Sequence, residues 1–342
     1  MRVAMYYNNK DIRIKERPLP EIGPGELLMR VEASGICGSD VLEWYRLKKA
    51  PLVLGHEVAG EVIEAGNGVQ KYKVGNRIAA SHHVPCNTCF YCLTGHHTAC
   101  DTLRATNFDP GGFAEFLRLP AINVDRGVYL LPEGISYEEA TFHEPLGCVI
   151  RAQRISRLRP GQSVLVFGCG IAGLLSIHLA RTVGAGSILA VDPVLYRLEA
   201  AKRFGADEAL KPSEDVEVCL RQMNNGRLAD QVFICTGAKD AISQAFESVE
   251  RGGTVLLFAP TDQDVNISFS VNNLFFRNDI TLTTSYGASP YDSWLALQFI
   301  KSSAIRVKEM ITHCLSLKET ALGFQIVAKA QDSLKVIIEP QK

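Results

Sequence analysis

Apolar and polar residues alternate with a period of two through much of the first 150 positions. In LLMRVEASG, Met29, Val31 and Ala33 alternate with Arg30 and Glu32, the spacing of a half-buried strand. EVAGEVIEAG and GNRIAAS are also β-prone, and glycines 55, 66, 68 and 75 punctuate them. Pro18, Pro20, Pro24 and Gly25 mark turns before the first long strand. Near residue 150 the texture changes. QSVLVFGCGIAGLLSIHLARTVGAGSILAVD reads as an apolar strand, a glycine turn, a helix and a second apolar strand. ADQVFICTG, KDAISQAFESVERGG and TVLLFAP repeat that rhythm. In the middle segment Ile242, Ala245, Phe246 and Val249 share one face at helical spacing. Apolar strands alternating with helices predict an α/β domain with a doubly wound parallel sheet. DITLTTS fits its last strand. The tail predicts helices near 291–302 and 318–329 and a strand at LKVIIEP, and the pattern leaves open whether it completes the first domain or the second.

A chain of 342 residues has room for two domains. The formal net charge of −1 favours neither a nucleic acid nor an anionic membrane as partner. No apolar run reaches the length of a membrane span, and MRVAMYYNNKDIRIKERP reads as strand and turn rather than as a secretion signal. A cytoplasmic location is therefore expected. In that reducing compartment, clustered thiols point to a metal more than to disulfides. Of ten cysteines, Cys86, Cys89, Cys92 and Cys100 fall within fifteen positions, as C-x2-C-x2-C-x7-C.

Two further sets of residues carry chemistry. Gly168, Gly170 and Gly173 spell G-x-G-x-x-G between a predicted strand and a predicted helix, the context a dinucleotide-binding turn requires. The next strand ends in Asp192, 19 residues after Gly173. A carboxylate there accepts hydrogen bonds from an adenosine ribose and repels a 2′-phosphate, which favours NAD over NADP. Arg197 is close enough in sequence to stack on the adenine or to hold a phosphate. The second set comes from separated segments: Cys37, His56, Glu57 and Glu144, with Cys148 nearby. Thiolate, imidazole and carboxylate together suit an open zinc site with one exchangeable position. Any one of these residues alone would be ordinary packing or a solvated charge. Their combination with a dinucleotide turn makes the chemical reading the stronger one.

These motifs together resemble the zinc-dependent medium-chain dehydrogenases/reductases of the alcohol dehydrogenase superfamily. GHEVAGEVIEAGNGV, GICGSD, the four-cysteine lobe, EPLGC and GCGIAG stand in that family's order over nearly the whole chain. Glu57 and EPL bring it nearest to the branch of sorbitol, other polyol and threonine dehydrogenases. The resemblance implies a GroES-like, β-rich catalytic domain (1–148, with a lobe at about 82–102), an inserted Rossmann NAD-binding domain (149–285) and a C-terminal return (286–342). It implies two zinc ions per subunit. A catalytic zinc would take Cys37 and His56, with Glu57 and Glu144 dividing the remaining ligand and water-holding roles. A structural zinc would be closed by Cys86, Cys89, Cys92 and Cys100, since four thiolates complete a tetrahedron and leave no open position. Gly168, Gly170, Ala172, Gly173, Asp192, Arg197, Thr236, Ala259 and Ser285 are the implied cofactor contacts.

The implied reaction passes a hydride between a secondary alcohol (polyol, cyclic polyol or aminopolyol) and NAD, giving the ketone. Ser39 is the hydroxyl that would accept the substrate proton. Many relatives carry a histidine five residues after the cysteine as a later relay member, and this chain has Leu42 there. Glu43, Trp44, Phe113 and Tyr286 are the implied substrate-pocket positions. Sorbitol-type enzymes often have tyrosine where Glu43 stands and arginine where Tyr286 stands, so sorbitol is not simply carried over. Threonine-like amino-alcohol oxidation is one alternative, and a non-catalytic NAD- and zinc-binding protein is another. Zinc-free quinone and enone reductases of the same fold lack the Cys–His–Glu set and the cysteine lobe. A homo-oligomer, dimer or tetramer, is expected, with DITLTTS as a plausible pairing strand.

Overall fold

The computed structural model describes residues 1–342, apart from the side chain of residue 273. The chain forms two compact units, one of Met1–Gly147 with Gly287–Lys342 and the other of Cys148–Tyr286. The tail thus belongs to the first unit. Among the described residues, no helix is long and apolar enough to cross a membrane.

The larger unit is built on the strand Leu27–Gly35. It pairs antiparallel with Glu57–Ala65, which pairs with Arg77–Ser81, and that strand in turn with Val128–Leu130. The alternation read from the sequence is its inward face. Met29 and Val31 are buried with Val58, Val62, Ile78 and Leu117. On its other edge lies Lys335–Glu339, nearly three hundred residues later, antiparallel in register Ile337 to Gly35. Ile311–Ser316 adds a parallel strand outside it. A second core joins Val3, Tyr6, Phe113, Phe324, Val336 and Ile338. The tail helices span Pro290–Lys301 and Thr320–Lys329. Pro290 stands at the first turn of its helix, where a missing N–H costs nothing, and Ser289 and Asp292 close a capping box before it.

Register matters more than any single contact here. Gly35 stands opposite Glu57, and Glu57 stands opposite Ser81. Residues just beyond these three, Cys37, His56 and His82, are therefore delivered to one end of the sheet.

The second unit is a six-stranded parallel sheet of Val164–Phe167, Ile188–Val191, Glu208–Leu210, Ala229–Ile234, Val249–Leu257 and Thr281–Thr284. Numbered along the chain, they lie side by side as 3-2-1-4-5-6. That is the Rossmann order, with its switch point between the first and fourth strands. All four residues of Val164–Phe167 are buried, as expected of a strand covered on both faces. One expectation is corrected. Val249 does not continue the helix face of Ile242, Ala245 and Phe246. The helix spans Lys239–Glu247, and Val249 opens the next strand opposite Ala229. A buried strand residue can fall on a helical repeat by coincidence, because burial alone does not distinguish the two periods.

Candidate active site

Cys37 caps the 3-10 turn Gly38–Val41. Its Sγ accepts the Ser39 N–H at 3.4 Å, and its own N–H donates to Asp40 Oδ2 at 3.0 Å. This is a capping box with sulfur in the place of a hydroxyl. Asp40 is fully buried, and its other oxygen faces His56 Nδ1 at 3.5 Å. With Nδ1 turned to a carboxylate, Nε2 is left as the ligand nitrogen, the usual arrangement behind a metal-bound histidine. Burial on its own would push the Asp40 carboxyl up, but facing His56, Arg46 and the Cys37 N–H together hold it below its usual range.

The ligand atoms of Cys37, His56 and Glu57 lie within 4.8 Å of one another. Glu57 is fully buried. One oxygen pairs with buried Lys335, and the other, Oε1, has no hydrogen-bond partner. An orphaned buried carboxylate oxygen beside a thiol and an imidazole is what a divalent cation would satisfy, so these residues fit zinc. Glu144 sits half-buried in the first turn of the helix His143–Ser156 and is not part of this three-residue group.

The four cysteines of the lobe also converge within 4.8 Å. The Cys86 and Cys92 sulfurs are 3.9 Å apart, and those of Cys89 and Cys92 are 3.6 Å apart. A tetrahedron with Zn–S near 2.3 Å has edges of about 3.8 Å. A disulfide would need about 2.05 Å. The backbone N–H and hydroxyl of Thr88, with the Cys89 N–H, pull the Cys86 thiol down to about 5, while burial pushes Cys92 up to about 12. The cluster closes around Leu103 and forms a small core of its own. His96, inside the same segment, is exposed.

In the second unit, the expected cofactor residues line the C-terminal edge of the sheet. Gly168 has a φ of +87°, and a Cβ there would meet Thr236 at 2.9 Å. Gly170 caps the helix Ile171–Thr182 and has open space where a side chain would be, so a pyrophosphate could approach the backbone. Gly173 packs against the carbonyl of Gly168 with no room for a methyl group. Asp192 is buried; Oδ2 accepts the Cys169 N–H at 2.7 Å and Oδ1 accepts the Val194 N–H at 2.9 Å. Each oxygen keeps a further lone pair for a ribose hydroxyl. Arg197 Nε is buried without a partner. Thr236, Ala259 and Ser285 follow the fourth, fifth and sixth strands, and Ala172 lies in the first turn of the helix. Overpacking of the Gly168–Gly173 contact costs about 1–3 kcal/mol. Gly173→Val is therefore expected to weaken NAD(P) binding about 10–100-fold, read by nicotinamide fluorescence titration, with zinc content unchanged. Unchanged affinity would mean that the turn does not hold the cofactor.

The expected pocket positions differ in their exposure. Glu43 is exposed and accepts the Asn9 N–H at 2.9 Å. Trp44 is half-buried, and its indole N–H has no partner. Phe113 is 1% exposed and packs edge-to-face on Phe324, inside the core rather than on an open surface. Tyr286 is exposed and belongs to the nucleotide unit. Four residues that sequence reasoning missed stand at the metal site. Asp40 had a local signal, the capping-box spacing of CGSD. Arg46, Lys335 and His82 had none. The His82 ring is 4.8 Å from that of His56 and 3.9 Å from that of His83. A groove of about 720 Å³ lies at the opposite end of the nucleotide sheet; its Arg221, Arg227 and Arg251 are each paired with a carboxylate.

The chain matches the alcohol dehydrogenase GroES-like domain over residues 23–133 and the zinc-binding dehydrogenase domain over residues 172–302. It is 33% identical to an L-threonine 3-dehydrogenase of Caldanaerobacter subterraneus subsp. tengcongensis, over 99% of this chain and 98% of that protein. The chain belongs to the zinc-containing medium-chain alcohol dehydrogenase family. A second family member, sorbitol dehydrogenase of Bacillus subtilis, is 31% identical over 100% of this chain and 98% of its own length. Among solved structures, 2R,3R-butanediol dehydrogenase from Bacillus subtilis superposes with a TM-score of 0.86, at 27% identity and 99% coverage of both chains. This family member is a zinc-dependent dehydrogenase acting on CH–OH groups of small alcohols with NAD(P). The four-cysteine and Cys–His–Glu groups are its two metal sites.

Proposed function

We propose that this enzyme oxidises a secondary alcohol flanked by further hydroxyl or amino groups, a polyol, cyclic polyol or aminopolyol, to the ketone, with NAD⁺ as hydride acceptor and release of one proton. The observation that carries the reading is the orphaned oxygen of Glu57 among the ligand atoms of Cys37 and His56. Zinc held there supplies Lewis acidity to the alcohol oxygen, and the nicotinamide supplies the hydride acceptor. The protein's own residues do the rest. Cys37, His56 and Glu57 hold the ion, Asp40 orients His56, and Glu144 is the reserve ligand or water-holding carboxylate. Ser39, two residues from a ligand, holds the substrate's hydroxyl proton.

Asp192, fixed by two backbone N–H groups, supports NAD over NADP because a rigid buried carboxylate cannot turn away from a 2′-phosphate. Glu43 and Trp44 are the nearest proposed substrate contacts to the metal turn in sequence. A second reading, oxidation of a threonine-like amino alcohol, is favoured by the 33% identity to a threonine dehydrogenase. Association of subunits through the exposed edge strand Thr281–Thr284, and a cytoplasmic place of action, belong to the same proposal. The test is reduction of NAD⁺ and NADP⁺ over linear polyols, inositols, aminocyclitols, threonine and simple secondary alcohols. Turnover of one polyhydroxy class with NAD⁺ supports the first reading, and turnover of threonine alone replaces it with the second. Ser39→Ala is expected to lower turnover about 10²-fold or more while zinc and NAD binding persist. Unchanged turnover would remove Ser39 from the chemistry.

A further inference from the structure

The geometry points to Arg46 as the positioning residue of the metal site, a single guanidinium that fixes both the proton-handling hydroxyl of Ser39 and the ligand-orienting carboxylate of Asp40. Its Nε donates to the Ser39 carbonyl at 3.0 Å, and its Nη2 lies 3.0 Å from both Ser39 Oγ and Asp40 Oδ1. The side chain is 13% exposed, and Asp40 beneath it is fully buried. These three acceptors are distributed around one planar fork, which a lysine ammonium cannot reproduce. The guanidinium also lies over the ring of neighbouring Tyr45 at 4.8 Å, which restrains its swing.

The chemical consequence follows from the donor inventory. Guanidinium has five N–H donors and no acceptor, and it does not release a proton in proteins. By donating to Ser39 Oγ it occupies one lone pair of the hydroxyl and leaves the O–H free to point elsewhere. No proton continues from Ser39 into Arg46, and Leu42 offers no acceptor either. Ser39 therefore keeps its second lone pair for the hydroxyl proton of the substrate, beside a permanent positive charge, while its own O–H passes a proton on to water. On the other side of the fork, Asp40 is pinned where it faces His56 and accepts from Cys37, so Arg46 also steadies two metal ligands.

The part of this inference that concerns Ser39 rests on the dehydrogenase reading; the part that concerns Asp40 does not. The test uses the full-length, zinc-loaded protein as wild type, Arg46→Met, Arg46→Lys, Ser39→Ala and the Arg46→Met/Ser39→Ala double variant. The first readout is zinc affinity of the Cys–His–Glu site, by competition with a chromophoric chelator while the four-cysteine site keeps its ion. Arg46→Met is expected to weaken it about 10–100-fold. The second readout is kcat with the best alcohol of the panel. Arg46→Met is expected to lower kcat by a similar factor with KM for NAD⁺ unchanged, and the double variant is expected to be no slower than the slower single one. Arg46→Lys, which keeps the charge and the packing stem, is expected to restore neither value fully; it also serves as the test should Arg46→Met not fold. Wild-type zinc affinity and kcat in both variants, or losses that multiply in the double variant, would overturn the inference. If wild type turns over nothing in the panel, the dehydrogenase reading has failed and zinc affinity alone decides.

Discussion

Cys37→Ala is expected to cut turnover at least about 1,000-fold and to take zinc content from two ions per subunit to one. The reason is the donor set. A catalytic zinc is ordinarily held by three protein ligands. Without the thiolate only His56 and Glu57 remain from the group that converges within 4.8 Å. Zinc lowers the pKa of a coordinated water from about 16 to about 7. Loss of even a third of that acid strengthening removes about three powers of ten from the population of deprotonated substrate. The lobe should keep its ion, because Cys86, Cys89, Cys92 and Cys100 close their own tetrahedron. Metal analysis and steady-state kinetics on the purified variant decide the matter. A variant that keeps two ions and full turnover would place the catalytic metal elsewhere.

Lys335→Met is expected to destabilise the larger unit by about 3–5 kcal/mol in the zinc-free protein. Lys335 is fully buried on the strand Lys335–Glu339. It donates to Glu57 and, at 3.2 Å, to the carbonyl of Ile36. Among the described residues the second oxygen of Glu57 has no hydrogen-bond partner, so Lys335 is its charge partner. The packing is equally specific. A Cβ on Gly35 would collide with Glu57 Oε2 and meet Lys335 Cε at 2.7 Å, so the glycine leaves room for the pair. Methionine fills the same volume but leaves a bare buried carboxylate. Zinc binding would neutralise part of that charge, so the loss should shrink when zinc is present. Denaturant melts with chelator and with added zinc measure both values, and Glu57→Gln in the same chain should recover part of the loss. Equal stability of Lys335→Met and wild type under chelation would mean that the Lys335–Glu57 pair does not hold this fold together.

The parts of the site that could be read from the sequence are those whose partners are close along the chain. The glycine turn, its strand and helix, and Asp192 fall within a few dozen positions, and each residue type is required by a local backbone conformation or by close approach. The four cysteines fall in one loop. Cys37 and His56 were legible as ligands by their chemistry, but their meeting depends on Gly35 standing opposite Glu57 across two strands. Lys335 could not be found by any local pattern. It reaches Glu57 across 278 positions, through the pairing of the last strand with Gly35, and a lysine in VIIEP-like surroundings looks like a strand end at the surface. Arg46 was hidden for a different reason. Its partners are only six and seven residues away, but a 3-10 turn followed by a four-residue helix brings them together, and no periodicity marks that geometry. Val249 shows the converse error, an apolar residue at helical spacing that belongs to a strand. Phe113 shows the limit of carrying a pocket position over by resemblance, since here the ring is part of the core.

The most direct test of the whole account is NAD⁺ reduction over the alcohol panel, followed by nicotinamide absorbance, with and without prior treatment by a zinc chelator. The expected result is NADH formation from one polyhydroxy or amino-alcohol class, lost on chelation and restored by added zinc. NADH formation that persists after the Cys37–His56–Glu57 site has been shown by metal analysis to be stripped would contradict it.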